Sequence, residues 1–287
     1  MIIKSVDDCR YSATIEDDLL QIDRYSGDGE GDDTIYRGSF NSIKPKMLAA
    51  LLVDAPDLIE AIDAQNPDII LLGGDIFDDV KEDTNTELFL SGIAGRYPIY
   101  YVTGNHECWG GTYRFDKQMA ILEKYNIPVL SGEVQTLTLN GETINLCGVD
   151  DPHVYLVEPQ DTNQPSEYLD ENGNRMQDYT NRLTAVHEAA QNEYYTILLS
   201  HRPEFFELYA TYDFDLVLCG HAHGGQWRIP GILNGLYAPH QGIFPKYAGG
   251  RYASEDMTMI VSRGLARETT RVPRIFNRPE LVVIELK

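Results

Sequence analysis

Histidine is scarce and comes late in this chain. Seven occur in 287 residues, and the first is His106. The N-terminal third can therefore offer a metal only carboxylate, thiolate or amide groups. Cysteine is scarcer still. Cys9, Cys108, Cys147 and Cys219 are widely scattered and form no CxxC pair, which argues against a structural zinc site and calls for no disulfide framework. Cys219 follows an apolar strand pattern and reads as a small core residue. Long apolar runs are missing. The longest, residues 47–53, stops at Asp54, far short of the roughly 20 residues of a membrane span. Residues 1–7 lack the apolar core and small-residue cleavage pattern of a secretion signal. The expectation is a cytoplasmic or membrane-peripheral protein, with peripheral association at a membrane surface left open. Positive charge is short as well: 23 Lys and Arg stand against 45 Asp and Glu, a net charge of −22. Nucleic-acid binders carry a basic face, so nucleic acid is disfavoured as a partner. A nuclease whose metal ions supply the local positive charge stays open.

Strand-like and helix-like patterns alternate along the rest. One large domain spanning residues 1–287 is the simplest reading, with an acidic N-terminal segment over about residues 1–45. Asp54 and Pro56 open a helix that ends at Asn66-Pro67. Buried strands are expected over residues 68–73 and 98–102, and a helix over 112–125. Residues 134–139 and 143–149, joined by Asn140-Gly141, read as a hairpin. Residues 154–178 form a polar surface excursion, followed by a helix over 179–192. Further strands are expected over 195–199, 215–218, 257–261 and 281–286. The Gly/Asp-rich stretch 26–33 reads as a loop. Strands separated by helices suggest a two-layer sheet core with helices outside.

Chemistry-bearing residues sit directly after four of the apolar runs. These are Gly74-Asp75-Ile76-Phe77-Asp78, Gly104-Asn105-His106-Glu107, Ser200-His201-Arg202 and Gly220-His221-Ala222-His223-Gly224. Ligand sites of open sheets gather at the carboxyl ends of strands, so these loops can converge. One Asp, one Asn and three His make a mixed oxygen/nitrogen donor set, suited to Mn, Fe, Zn or Co rather than to Ca. His106, beside the metal and oriented by an acid such as Asp78, can protonate a leaving oxygen. Each residue has a plainer reading. Asp75 can cap a helix, Asn105 can form a turn, and His201 can be a hydrogen-bonded core histidine. His240 is a candidate substrate contact; Asp150 and Asp151 read as structural.

The four motifs resemble the calcineurin-like metallophosphoesterases. Gly224-Gly225-Gln226, Asn234-Gly235-Leu236-Tyr237-Ala238-Pro239, Gln241-Gly242, Phe244-Pro245-Lys246-Tyr247 and Gly148-Val149-Asp150-Asp151-Pro152 resemble a bacterial branch of single-domain phosphoesterases. The resemblance implies a four-layer αββα sandwich. It implies Asp75 bridging two metals, Asn105, His201 and His221 completing one site, His223 binding the other metal, and His106 as the catalytic histidine. The family's first motif, an Asp-x-His after the first strand, has no counterpart here. Asp7, with Cys9 in place of the histidine, is the nearest candidate, and an ordinary acidic turn is its plainer reading. One or two divalent ions (Mn, Fe or Zn) per chain are expected. The function read is hydrolysis of phosphoric mono- or diesters by a metal-activated hydroxide on a small phosphate-ester substrate. The alternatives are a catalytically weakened metal-binding or regulatory homologue, and a nuclease or cyclic-nucleotide phosphodiesterase. The oligomeric state is not legible.

Overall fold

The computed structural model describes residues 2–5, 9–16, 19–26, 33–39, 55–156, 174–229, 231–265 and 274–286. Strand β1 (Ile2–Ser5) precedes three strands, β2 (Cys9–Glu16), β3 (Leu19–Ser26) and β4 (Asp33–Ser39), which pair antiparallel in a sheet of their own. Helix α1 (Ala55–Gln65) has Asp57 in its first turn, where a negative charge complements the helix dipole. It ends at Asn66, whose φ of 45° lies in the left-handed region favoured at helix ends.

Strand β5 (Ile69–Gly73), α2 (Thr84–Ile93), β6 (Ile99–Val102), the short α3 (Asn105–Trp109) and α4 (Thr112–Lys124) follow. The expected hairpin is β7 (Glu133–Leu139) and β8 (Glu142–Gly148). Asn140 and Gly141 both take positive φ, 50° and 91°, as its tight turn requires. Helix α5 (Asn174–Ala189) starts inside the stretch read as surface excursion. Next come β9 (Tyr195–Leu199), α6 (Phe206–Tyr209), β10 (Leu216–Cys219), the short pair β11 (Tyr237–Ala238) and β12 (Gly242–Ile243), β13 (Gly250–Ala253), β14 (Thr258–Val261) and β15 (Val283–Leu286).

Two sheets carry the fold. One has the order β15-β1-β5-β6, the other β13-β14-β10-β9-β8-β7. The continuous apolar runs of β5, β9 and β10 are explained by burial on both faces. Ile69 and Leu71 share a core with Val102, Leu146, Ile197, Leu199, Leu216 and Leu218, between the sheets. Ile70 and Leu72, one step out of phase, pack with Leu58, Ile62, Leu90, Ile93, Ile121 and Leu122 of the helices. In the second sheet Cys147, Leu198, Val217 and Cys219 turn outward to Tyr179, Leu183, Val186, Phe206 and Tyr209. Helices, sheet, sheet and helices make the four layers of an αββα sandwich, and the period of two along each strand assigns each side chain to its layer.

Parallel pairing aims the loops. β5 and β6 are parallel, as are β8 with β9, β9 with β10, and β10 with β14. The chain therefore leaves β5, β6, β8, β9 and β10 at their carboxyl ends into one loop cluster. β1 is different: it runs antiparallel to β5, with Ile2 opposite Ile70 and Ile3 opposite Ile69. Its C-terminal residue Ser5 thus lies at the end of the sheet away from Gly73. Asp7 lies outside the described residues.

Leu71 is fully buried between the sheets. Leu71→Ala is expected to lower unfolding stability by about 2–5 kcal/mol, read as a fall in the urea midpoint. An unchanged midpoint would contradict this placement.

Candidate active site

Asp75, Asn105, His106, His201 and His221 meet above the strand ends. The loops after β5 and β6 touch closely enough that two glycines are obligatory. A Cβ on Gly104 would stand 2.3 Å from Asp75 Oδ1 and 2.6 Å from the Asp75 nitrogen. Gly74, at φ +84°, faces His201 Nδ1 and Gly104 in the same way. Glu107, fully buried, ties the loops together. Its carboxylate accepts hydrogen bonds from the backbone N–H of Asp75 (3.0 Å), Phe77 (3.0 Å) and Gly104 (2.8 Å). Burial, reinforced by the charge of Asp75, raises the Glu107 pKa to about 7.

The donor geometry suits a cation. His201 Nδ1 donates to the Gly73 carbonyl at 2.7 Å, which leaves Nε2 with a lone pair in the neutral ring. That Nε2 stands 3.0 Å from Asp75 Oδ2 and 3.1 Å from His221 Nδ1. Electron-rich atoms so close need a proton or a metal between them. Burial opposes charge on His201, but the Asp75 carboxylate overcomes it and lifts the pKa to about 9. His221 goes the other way: burial, then Arg202, hold it neutral. One ligand atom each from Asp75, His201 and His221 lies within 4.8 Å of the other two. Asn105 is 1% exposed, and its Oδ1 is a buried acceptor with no donor among the described residues. Buried acceptors of this kind rarely go unsatisfied, and a hard cation would satisfy this one. The residues therefore fit a divalent metal.

The acid beside His106 is Asp79, not the expected Asp78. Asp79 Oδ1 is 2.7 Å from His106 Nδ1. Asp78 is drawn off by its own turn, where Oδ1 accepts the N–H of Val80 (2.9 Å) and Lys81 (2.7 Å). Trp109 packs against His106 with ring centres 4.7 Å apart.

A second ring of side chains centres on Arg202, only 2% exposed. Arg202 grips Asp151 through Nε and Nη2, and its Nη1 is 3.2 Å from Glu204. Nη1 donates to His240 Nδ1 at 2.8 Å, and His221 Nε2 lies 2.9 Å from that same nitrogen. Nη2 approaches His153 Nδ1 at 2.8 Å, and Asp151 Oδ1 lies 2.7 Å from it. Asp150 has the structural role expected of it. It accepts from Thr103 Oγ1 at 2.8 Å and from Ser131.

His223 stands on a left-handed turn. His221, His223, Gly224, Gly225 and Gln226 all have positive φ, between 50° and 68°. Asn277 clamps this turn: its Nδ2 donates to the carbonyls of His223 (2.6 Å) and Gln226 (3.1 Å). Burial lowers the His223 pKa to about 4. A cavity of about 630 Å³ opens alongside, lined by Asp75, His201, His221 and His223 and, further in, by Leu71, Leu72, Phe89 and Leu281.

A family model described as calcineurin-like phosphoesterase matches residues 49–225. The chain belongs to this family. Among curated relatives, an uncharacterized metallophosphoesterase of Helicobacter pylori is 30% identical over 59% of this chain and 39% of its own length. Phosphodiesterase YaeI of Escherichia coli is 26% identical over 77% of this chain and 71% of its own. The uncharacterized metallophosphoesterase YkuE of Bacillus subtilis is 28% identical over 82% and 73%. The chain thus spans well under half of the Helicobacter pylori relative. Family membership implies divalent metal ions, and the donor set above is where this phosphoesterase could hold them.

Sequence reading missed Asp79, Glu107, Arg202 and Asn277 in these roles. Glu107 and Arg202 carried a usable signal, since each is a charged residue directly behind an apolar run and a ligand candidate. Asn277 carried none, because the two carbonyls that it clamps lie 54 and 51 residues before it in sequence.

Gly104→Ala must push the Asp75 loop aside. The expected result is at least a tenfold loss of divalent-metal affinity by calorimetric titration, with stability lower by about 1–3 kcal/mol. Unchanged metal binding would show that the Asp75 loop does not help to hold the ion.

Proposed function

We propose that this chain hydrolyses phosphoric mono- or diesters as a single metallophosphoesterase domain. The supporting observation is the convergence of Asp75 Oδ2, His201 Nε2 and His221 Nδ1 around one point, with the Oδ1 of Asn105, which has no donor among the described residues, buried at the start of α3. Asp75, Asn105, His201 and His221 would hold one divalent ion (Mn, Fe or Zn), and His223 would reach a second beside it. A bound cation would polarise the phosphoryl oxygen and acidify the attacking water.

The chain's own groups supply the rest. Asp79 anchors His106 through Nδ1, so Nε2 is the ring atom left to meet substrate. From there it can stabilise the phosphoryl oxygens or hand a proton to the leaving alcohol. Arg202 Nη1 lies 3.1 Å from His221 Nε2 and 2.8 Å from His240 Nδ1, and so braces both rings from behind. Similarity to phosphodiesterase YaeI of Escherichia coli favours diesters over monoesters as substrates. The net charge of −22 weighs against a nuclease.

A second reading, a catalytically weakened metal-binding homologue, draws support from β1. The strand that precedes Asp7 runs antiparallel to β5 and ends away from Gly73, so no described residue takes the place of the family's Asp-x-His motif. Elemental analysis and hydrolysis of bis-p-nitrophenyl phosphate with added manganese separate the two. Turnover supports the hydrolase; bound metal without turnover at any manganese level supports the homologue. His106→Ala is expected to lower kcat by about 10²–10⁴-fold while metal content stays unchanged. Loss of metal instead would make His106 a ligand.

Among the described residues, no helix is long and apolar enough to cross a membrane.

A further inference from the structure

The cavity beside the ligand cluster contains a cation that has no counter-ion in hydrogen-bond contact among the described residues. Three basic side chains line it: Lys81, Arg263 and Arg274. Lys81 is mostly exposed and 3.8 Å from the Asp78 carboxylate. Arg263 donates from Nε to Glu280 Oε2 at 2.7 Å. Arg274 differs from both. Its Nε, Nη1 and Nη2 are all shielded from solvent, and none has a hydrogen-bond partner among the described residues. Burial, then the nearby charge of Arg263, lower its pKa to about 10, against an opposing effect of Glu280. The group still carries its charge at neutral pH. A buried guanidinium with no acceptor is destabilising, and such groups ordinarily meet a water, ion or ligand that satisfies them.

The backbone beside Arg274 is tied to the site. Ile275 N–H donates to the Gln226 carbonyl at 3.1 Å, and Arg228 N–H donates to the Ile275 carbonyl at 2.9 Å. Asn277, two residues on, clamps the His223 turn. Arg274 is thus held against the segment that carries His221 and His223, and its charge reaches His223.

We propose that Arg274 binds the non-bridging oxygens of the substrate's phosphate, inside the cavity that it shares with Asp75, His201, His221 and His223. This rests on the phosphoesterase reading and adds to it a binding residue from outside the four motifs. The planar fork of a guanidinium matches two phosphate oxygens. Its donors, which have no partner among the described residues, would be satisfied when a phosphate enters.

The test uses Arg274→Met and Arg274→Lys in the full chain, with thermal unfolding and calorimetric titration of inorganic phosphate beside bis-p-nitrophenyl phosphate kinetics. Without ligand, Arg274→Met is expected to melt above the wild type, because a buried charge with no partner among the described residues is gone. Its phosphate affinity should fall about ten- to a hundredfold. KM for the diester should rise by a similar factor, with a smaller change in kcat. Arg274→Lys, which keeps the charge but loses the fork, should give an intermediate loss, and keeps the question decidable if the Met variant does not fold. Phosphate affinity unchanged in the variants, or no phosphate binding by the wild type, would overturn the assignment. Wild-type turnover with no effect of either variant would discard Arg274 and leave the hydrolase standing. Phosphate binding that depends on Arg274, without turnover, would keep the anion site and remove the hydrolase reading.

Discussion

The buried carboxylate of Glu107 is the constraint on which the rest of the site depends. It accepts three backbone N–H groups, from Asp75, Phe77 and Gly104, in loops that leave two neighbouring strands. Without it those donors would be buried and unsatisfied, at a cost of about 1–3 kcal/mol each. With it, Asp75 is held at a φ of 56°, and its Oδ1 accepts the His106 N–H at 2.9 Å. That leaves Oδ2 aimed at His201. Gly74 and Gly104 make the staple feasible, since any side chain at either position would occupy the space taken by the other loop or by His201.

Around this staple the charges are arranged in pairs. The Asp75 carboxylate faces His201, and the Asp151 carboxylate faces Arg202. For both acids burial would favour the neutral form, and the facing cation reverses this, so both stay ionised. Arg202 has a further effect. It can only donate hydrogen bonds, so the Nδ1 of His240 must accept, which places the proton of that neutral ring on Nε2. One guanidinium, itself no metal ligand, thereby braces two of the imidazoles around the ion site. Arg274 has no such partner among the described residues.

Backbone strain collects at the same place. Asp75, His221, His223 and Gln226 all occupy the left-handed region, which disfavours residues with a Cβ by roughly 1–3 kcal/mol each. The layers below can carry this. The central strands β5, β9 and β10 are buried almost throughout, and the loops inherit a rigid base. Asn277 adds a local restraint by holding the carbonyls of the His221–Gln226 turn in place.

The sequence by itself determined the layers, because period-two burial along apolar runs such as Ile69–Gly73 and Leu216–Cys219 leaves little freedom of placement. It also determined which loops would carry chemistry, because Asp75, Asn105, His201, His221 and His223 each follow such a run. The resemblance to a known family, carried by those same motifs, named the layer order, and the structure and the family match agree with it. Tertiary structure alone decided the pairings: Asp79 rather than Asp78 on His106, Glu107 across two loops, Arg202 behind His221 and His240, and Asn277 under His223. The same holds for the antiparallel course of β1, since strand direction within a sheet leaves no trace in a four-residue strand. Burial is a property of a residue and its immediate periodicity, so it can be read locally. A hydrogen bond between side chains from separate loops depends on where both loops end, and that is settled only when the two sheets have packed.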